Sequence, residues 1–155
     1  MHLARALTLL LMALVLGFAS GCGRHDSHGG GAGGHVHKAP HGGLLVEIGQ
    51  HAYNVEFVRD ADAGKLTAYI LDGHAENFVR IAMPAIDLTA ITGGEKKALK
   101  LTAVANPATG ETVGNTSQFE AQADWLKKSG EFPGTISALE IKGTTFRDIA
   151  FYLKK

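Results

Sequence analysis

The chain has 155 residues, enough for one principal core, with 15 Lys plus Arg against 15 Asp plus Glu. That balance supplies no net field to draw in a polyanion, which disfavours nucleic acid as a partner. The single cysteine excludes an internal disulfide and any cysteine-pair zinc site, while eight histidines are the oddity, because imidazole is a common metal ligand and titrates near neutrality.

Met1 to Arg5 carries a cationic side chain, and Ala6 to Phe18 is apolar except for Thr8, ahead of the small residues Ala19, Ser20 and Gly21. This is the order of a secretory signal peptide, expected over residues 1–21, and its apolar stretch is shorter than the roughly 20 residues a membrane-spanning helix needs. The ending Ala19-Ser20-Gly21-Cys22 resembles the lipobox of bacterial lipoproteins, with Ala19 where Leu is usual. That resemblance implies cleavage before Cys22, lipid on that cysteine and hence a membrane partner. Each buried acyl CH₂ contributes roughly 0.8 kcal/mol and one chain holds only marginally, so a multiply acylated cysteine is the stable anchor. The same resemblance implies a bacterial envelope location facing the periplasm. Gly23 stands where Asp would favour the inner membrane in that family, so the outer membrane is favoured.

Residues 22–39 read as a flexible tether. Gly29 to Gly34 is GGGAGG, too poor in apolar surface to offset its ordering entropy. Around it stand His25, His28, His35, His37 and His41. In an extended segment His35 and His37 project to one side and can chelate one ion, with His41 looping back as a third ligand. Imidazole suits Cu, Zn and Ni, and the affinity order favours Cu(II). The competing reading is a solvated, His-rich spacer without a physiological ion.

Residues 40–155 read as one β domain. Short strands are expected at Leu44 to Ile48, His51 to Arg59, Leu66 to Leu71, Phe78 to Ile81, Ala85 to Ile91, Leu99 to Ala105, Thr116 to Ala121, Thr135 to Lys142 and Thr145 to Leu153, separated by Gly, Asp and Asn turn signals. Gly49-Gln50 suits a tight hairpin turn with Gly in the type II′ position. Tyr53, Val55 and Phe57 alternate with Asn54 and Glu56, as in a half-buried strand. Leu66 to Leu71 is apolar on both faces and should be central. Asp60-Ala61-Asp62-Ala63-Gly64 begins like a calcium loop, but Leu71 stands where the closing Glu is required, so it reads as a turn. Asp124 to Lys128 is the one helical turn, with Asp124 as N-cap and Gly130 just past its end. The whole predicts an antiparallel, immunoglobulin-like β-sandwich of about eight or nine strands with one short helical turn.

From Pro40 to Ile81, PHGGLLVEIG, HAYNVEFV and LTAYILDGHAENFVRI carry an opening His-Gly-Gly, an apolar strand ending in Gly, a Val-Glu pair and a Tyr-x-Leu-Asp ending. This stretch resembles the small β-domain at the front of some periplasmic adaptor subunits of heavy-metal efflux pumps, without their long hairpin domain. The resemblance implies an envelope location, an efflux component as possible partner, and handling of copper, zinc or a similar ion.

In an antiparallel body alternate turns share an end. His51, Asp72, His74 and Glu76 are then expected together, a set with the atoms of a divalent site, and His41 is expected with Asp60 and Asp62 at the opposite end. Each has an ordinary reading as turn former, strand start or solvated charge. There is no nucleophile elbow, HExxH or Cys-x-x-Cys, and Gly93-Gly94-Glu95-Lys96 lacks P-loop spacing, so an enzyme is not expected. Two functions remain: a lipid-anchored protein that binds or relays transition-metal ions, and an envelope protein-interaction or structural lipoprotein without a physiological metal site.

Overall fold

A computed structural model describes residues 37–154; the expected signal peptide, Cys22, His25, His28 and His35 lie outside the described residues. Eight strands and one helical turn follow in the order β1 (Leu44–Ile48), β2 (Tyr53–Asp60), β3 (Lys65–Asp72), β4 (Ala85–Thr92), β5 (Glu95–Ala103), β6 (Gln118–Gln122), α1 (Asp124–Lys128), β7 (Phe132–Ile141) and β8 (Thr144–Leu153). All pair antiparallel in one sheet of spatial order β1-β2-β3-β6-β5-β4-β7-β8. The expected all-β, antiparallel architecture is therefore the observed one, and β3 is central as its two-faced apolar pattern requires.

The two facing layers are halves of a single rolled sheet. Phe57 of β2 and Phe151 of β8 meet inside it with ring centroids 4.5 Å apart, although their strands lie near opposite ends of the order. Every second residue points inward: Leu66, Ala68 and Ile70 on β3, Ile86, Leu88 and Ala90 on β4, Phe132 and Ile136 on β7. Burying a large aliphatic or aromatic side chain of this kind contributes about 1.5–3 kcal/mol. Leu126 and Trp125 fix α1 to this core, Trp125 lying edge-on to Phe132 at 5.5 Å.

Strands β7 and β8 bend where the sheet rolls. The buried residues of β7 change parity between Ile136 and Leu139, and the β7–β8 ladder omits one pair there, opposite Asp148, whose φ is 52°. A left-handed residue inside a strand breaks the pleat and re-aims the side chains beyond it. One long hairpin thus serves both layers.

Three local expectations change. Gly49-Gln50 is not a two-residue turn: Gly49, Gln50 and His51 all have positive φ, and the ladder resumes only at Tyr53 opposite Ile48. Phe78 to Ile81 keeps the expected alternation, with Val79 and Ile81 buried, but is held only by the isolated bridges Leu71–Phe78 and Ile81–Thr116. Ala123, not Asp124, is the N-cap of α1 and makes no side-chain cap, while Ser129 closes the other end with its N–H on the Trp125 carbonyl at 2.9 Å.

Candidate functional site

Alternation puts Asn54 and Glu56 on the outer face of a half-buried β2, yet both are buried. In register they face Leu71 and Tyr69. Two irregular pieces cover them: residues 37–43, which form a strap leading into β1, and the loop after Asp72. Asn54 is satisfied by the second, its amide donating to the carbonyls of Asp72 and Gly73 at 3.0 Å each.

Glu56 is satisfied by the strap. Ala39-Pro40-His41-Gly42 is a β-turn closed by the Gly42 N–H on the Ala39 carbonyl at 3.1 Å, with Pro second and Gly fourth, as a type I turn prefers. Gly42 leaves this turn at φ 72°, a left-handed conformation that glycine adopts without steric cost. Gly43 then lies so close to β2 that a Cβ would collide with the Phe57 carbonyl. This path presents the His41 and Gly43 N–H groups to Glu56 Oε1 at 2.8 and 2.9 Å, while His41 Nδ1 meets Oε2 at 2.8 Å. The His-Gly-Gly motif is therefore a clasp around a carboxylate with no exposed side-chain surface.

The His41 ring stacks on Tyr69, centroids 3.9 Å apart and planes within 13°, with Phe78 at 5.7 Å. An ionised carboxylate only accepts, so in this contact Nδ1 is the donor and Nε2 is the ring nitrogen turned away from Glu56. A carboxylate behind one imidazole nitrogen fixes the ring's orientation, the support found behind metal-ligating histidines. Burial, with Glu120 adding to it, pushes the Tyr69 phenol above its ordinary value, while Lys65 acts the other way.

The remaining histidines divide. His37, at the start of the strap, lies edge-on to His74 with ring centroids 5.7 Å apart and planes at 88°, which joins the described end of the expected tether to the loop after β3. His51 instead pairs with Glu47, Nδ1 to Oε2 at 2.9 Å, on an exposed surface. Asp72 is occupied by its turn, accepting from the Glu76 N–H at 2.9 Å and the Asn77 amide at 2.7 Å; the Asn77 bond is the main reason its carboxyl sits below the usual range. Asp60 caps the next turn through the Ala63 N–H at 2.9 Å.

Hence the structure brings together His37 with His74 and His41 with Glu56. It gathers neither the His51, Asp72, His74 and Glu76 set nor His41 with Asp60 and Asp62. Among the described residues no group of three or more His, Cys, Asp or Glu side chains is placed to hold a metal ion.

Sequence reasoning missed Glu56, whose signal was a charge among Val55, Phe57 and Val58 on a strand otherwise fit for burial. It also missed Glu111, a second buried carboxylate. Burial raises the Glu111 carboxyl, but hydrogen bonds from Ser117 and Thr109 and the charge of Arg80 outweigh it and hold the group below the usual range. Its Oε1 accepts from the Ser117 N–H at 2.9 Å and Oγ at 2.6 Å, and Oε2 accepts from Thr109 Oγ1 at 2.8 Å.

Compared with known proteins, the chain matches no family model, no curated protein and no solved structure.

Proposed function

We propose that this chain is a lipid-anchored protein of the bacterial envelope that binds or relays transition-metal ions of the Cu, Zn or Ni class, in connection with metal efflux. The observation that carries the reading is the approach of His37 to His74, 5.7 Å between ring centroids. Two imidazoles sharing one tetrahedral ion, each bonded at about 2.0–2.1 Å, place their ring centres roughly 5 Å apart. The observed 5.7 Å is close to that spacing. Water or a further imidazole completes the coordination, and His35 is the nearest candidate in the sequence.

Lipid attachment at Cys22 and the periplasmic side rest on the resemblance of Ala19-Ser20-Gly21-Cys22 to a lipobox, and Gly23 after it favours the outer membrane. Thermal unfolding with and without Cu(II) or Zn(II) tests the metal reading. An ion held only by the folded form at about 100 times its Kd stabilises it by about 2.7 kcal/mol. A melting temperature indifferent to both ions removes the proposal.

A different observation favours the second reading, an interaction or structural lipoprotein with incidental histidines. Ala90 pairs with Gly134 and Pro133 with Tyr152, so Ile91, Pro133 and Tyr152 form one apolar row across β4, β7 and β8, with Ile91 43% and Tyr152 48% exposed. This reading predicts no metal shift and loss of a co-purifying envelope protein in Tyr152→Ser.

A further inference from the structure

The rolled sheet stops short of closing. β1 and β8 are its two end strands; they approach each other, but no ladder joins them among the described residues. β1 is five residues long and β8 ten, so the strap, which turns away to clasp Glu56, leaves the far part of this seam unfilled. A cleft of about 600 Å³ opens there, bordered by the strap, β2, α1 and the end of β8. This lies within the roughly 300–1,000 Å³ usual for small-molecule sites.

Its chemistry is two-sided. Leu44, Phe57 and Leu153 supply apolar lining, and the acid–base side chains around them are Arg59, Lys127, Lys154 and His41, with no Asp or Glu in the lining. Arg59 has no carboxylate partner among the described residues. Its Nη groups donate to the carbonyls of Leu126, Ser129 and Gly130 at the end of α1, and its buried Nε has no partner. Among the described residues Lys127 forms an ion pair only with the exposed Asp124, at 3.3 Å, and such surface pairs are weak. His41 is committed to Glu56. An apolar slot rimmed by the exposed Lys127 and Lys154, with no carboxylate in its lining, fits a ligand that is apolar along its length and anionic at one end.

We propose that this seam binds a single-chain fatty carboxylate, its acyl chain against Leu44, Phe57 and Leu153 and its headgroup at Lys127 and Lys154. The proposal is independent of the metal reading, since neither His37 nor His74 lines the cleft. The test is titration of the whole chain with dodecanoate below its micelle concentration and, in parallel, with dodecanol. Fluorescence of Trp125, the chain's one tryptophan, reports from α1. The expected result is saturable binding of one dodecanoate, at least tenfold tighter than dodecanol, with the preference falling severalfold in Lys127→Gln/Lys154→Gln. Both lysines are exposed, so that variant keeps its fold. Leu44→Phe, which narrows the slot and adds no second tryptophan to the readout, should weaken binding of both ligands. Absence of saturable binding, equal affinity for dodecanol, or an unchanged preference in the double variant would each overturn the assignment.

Discussion

His41 holds Glu56 at two points, its backbone N–H on Oε1 and its ring Nδ1 on Oε2, both at 2.8 Å. The contact spans 15 residues of sequence and fastens the strap to the middle of β2. It also makes the strap's attachment depend on one carboxylate that water does not reach.

Replacing that carboxylate should therefore cost more than its contact area suggests. Glu56→Ala strands two N–H groups and a ring nitrogen and should destabilise the domain by about 3 kcal/mol. Glu56→Gln keeps the shape but loses the charge, and about 1–2 kcal/mol is expected. Urea unfolding of the three proteins measures both; a Glu56→Ala loss below the spread of ordinary surface changes would mean the clasp contributes nothing.

Gly43 should tolerate no side chain. A Cβ there meets the Phe57 carbonyl, part of a paired strand that cannot yield, and Gly43→Ala should cost roughly 2–3 kcal/mol by overpacking. Gly130→Ala, where a Cβ meets nothing within 4 Å and φ is not positive, is the matched control and should be near neutral.

Acid should weaken the fold through Asp72 and Glu111. Both carboxyls lie below their ordinary values in the folded protein, Asp72 chiefly through Asn77, and Glu111 because hydrogen bonds and Arg80 outweigh its burial. A depressed folded-state value means stability present above the unfolded-state range and lost as pH falls through the folded one. Stability should then fall from about pH 5 downward, and Asp72→Asn should make the decline shallower. Chemical unfolding at stepped pH measures the slope, and an identical slope in Asp72→Asn contradicts the assignment.

Much of the frame was legible in local pattern. Leu44 to Ile48 and Asp124 to Lys128 fall where apolar runs and flanking turn residues put them, and Lys142 and Gly143, with φ of 48° and 80°, form the expected closing hairpin. The site was not legible, because its logic is tertiary. Alternation marks Glu56 as outward-facing, and it is; only the return of residues 37–43 over that face buries it. The same return commits His41 to Glu56, while Asp60 is taken up by the Ala63 N–H of its own turn. His37 and His74 belong to segments 37 residues apart whose meeting no local signal encodes. His51 looked available until Glu47, four residues earlier, proved to hold both its N–H and its ring.

The measurement closest to the central claim is calorimetric titration of Cu(II) into the purified chain, its His37→Ala/His74→Ala variant and a His51→Ala control. A shared-ion site predicts at least a tenfold weaker association in the double variant and an unchanged isotherm in the control. Equal affinity in all three proteins would contradict metal capture at the meeting of strap and body.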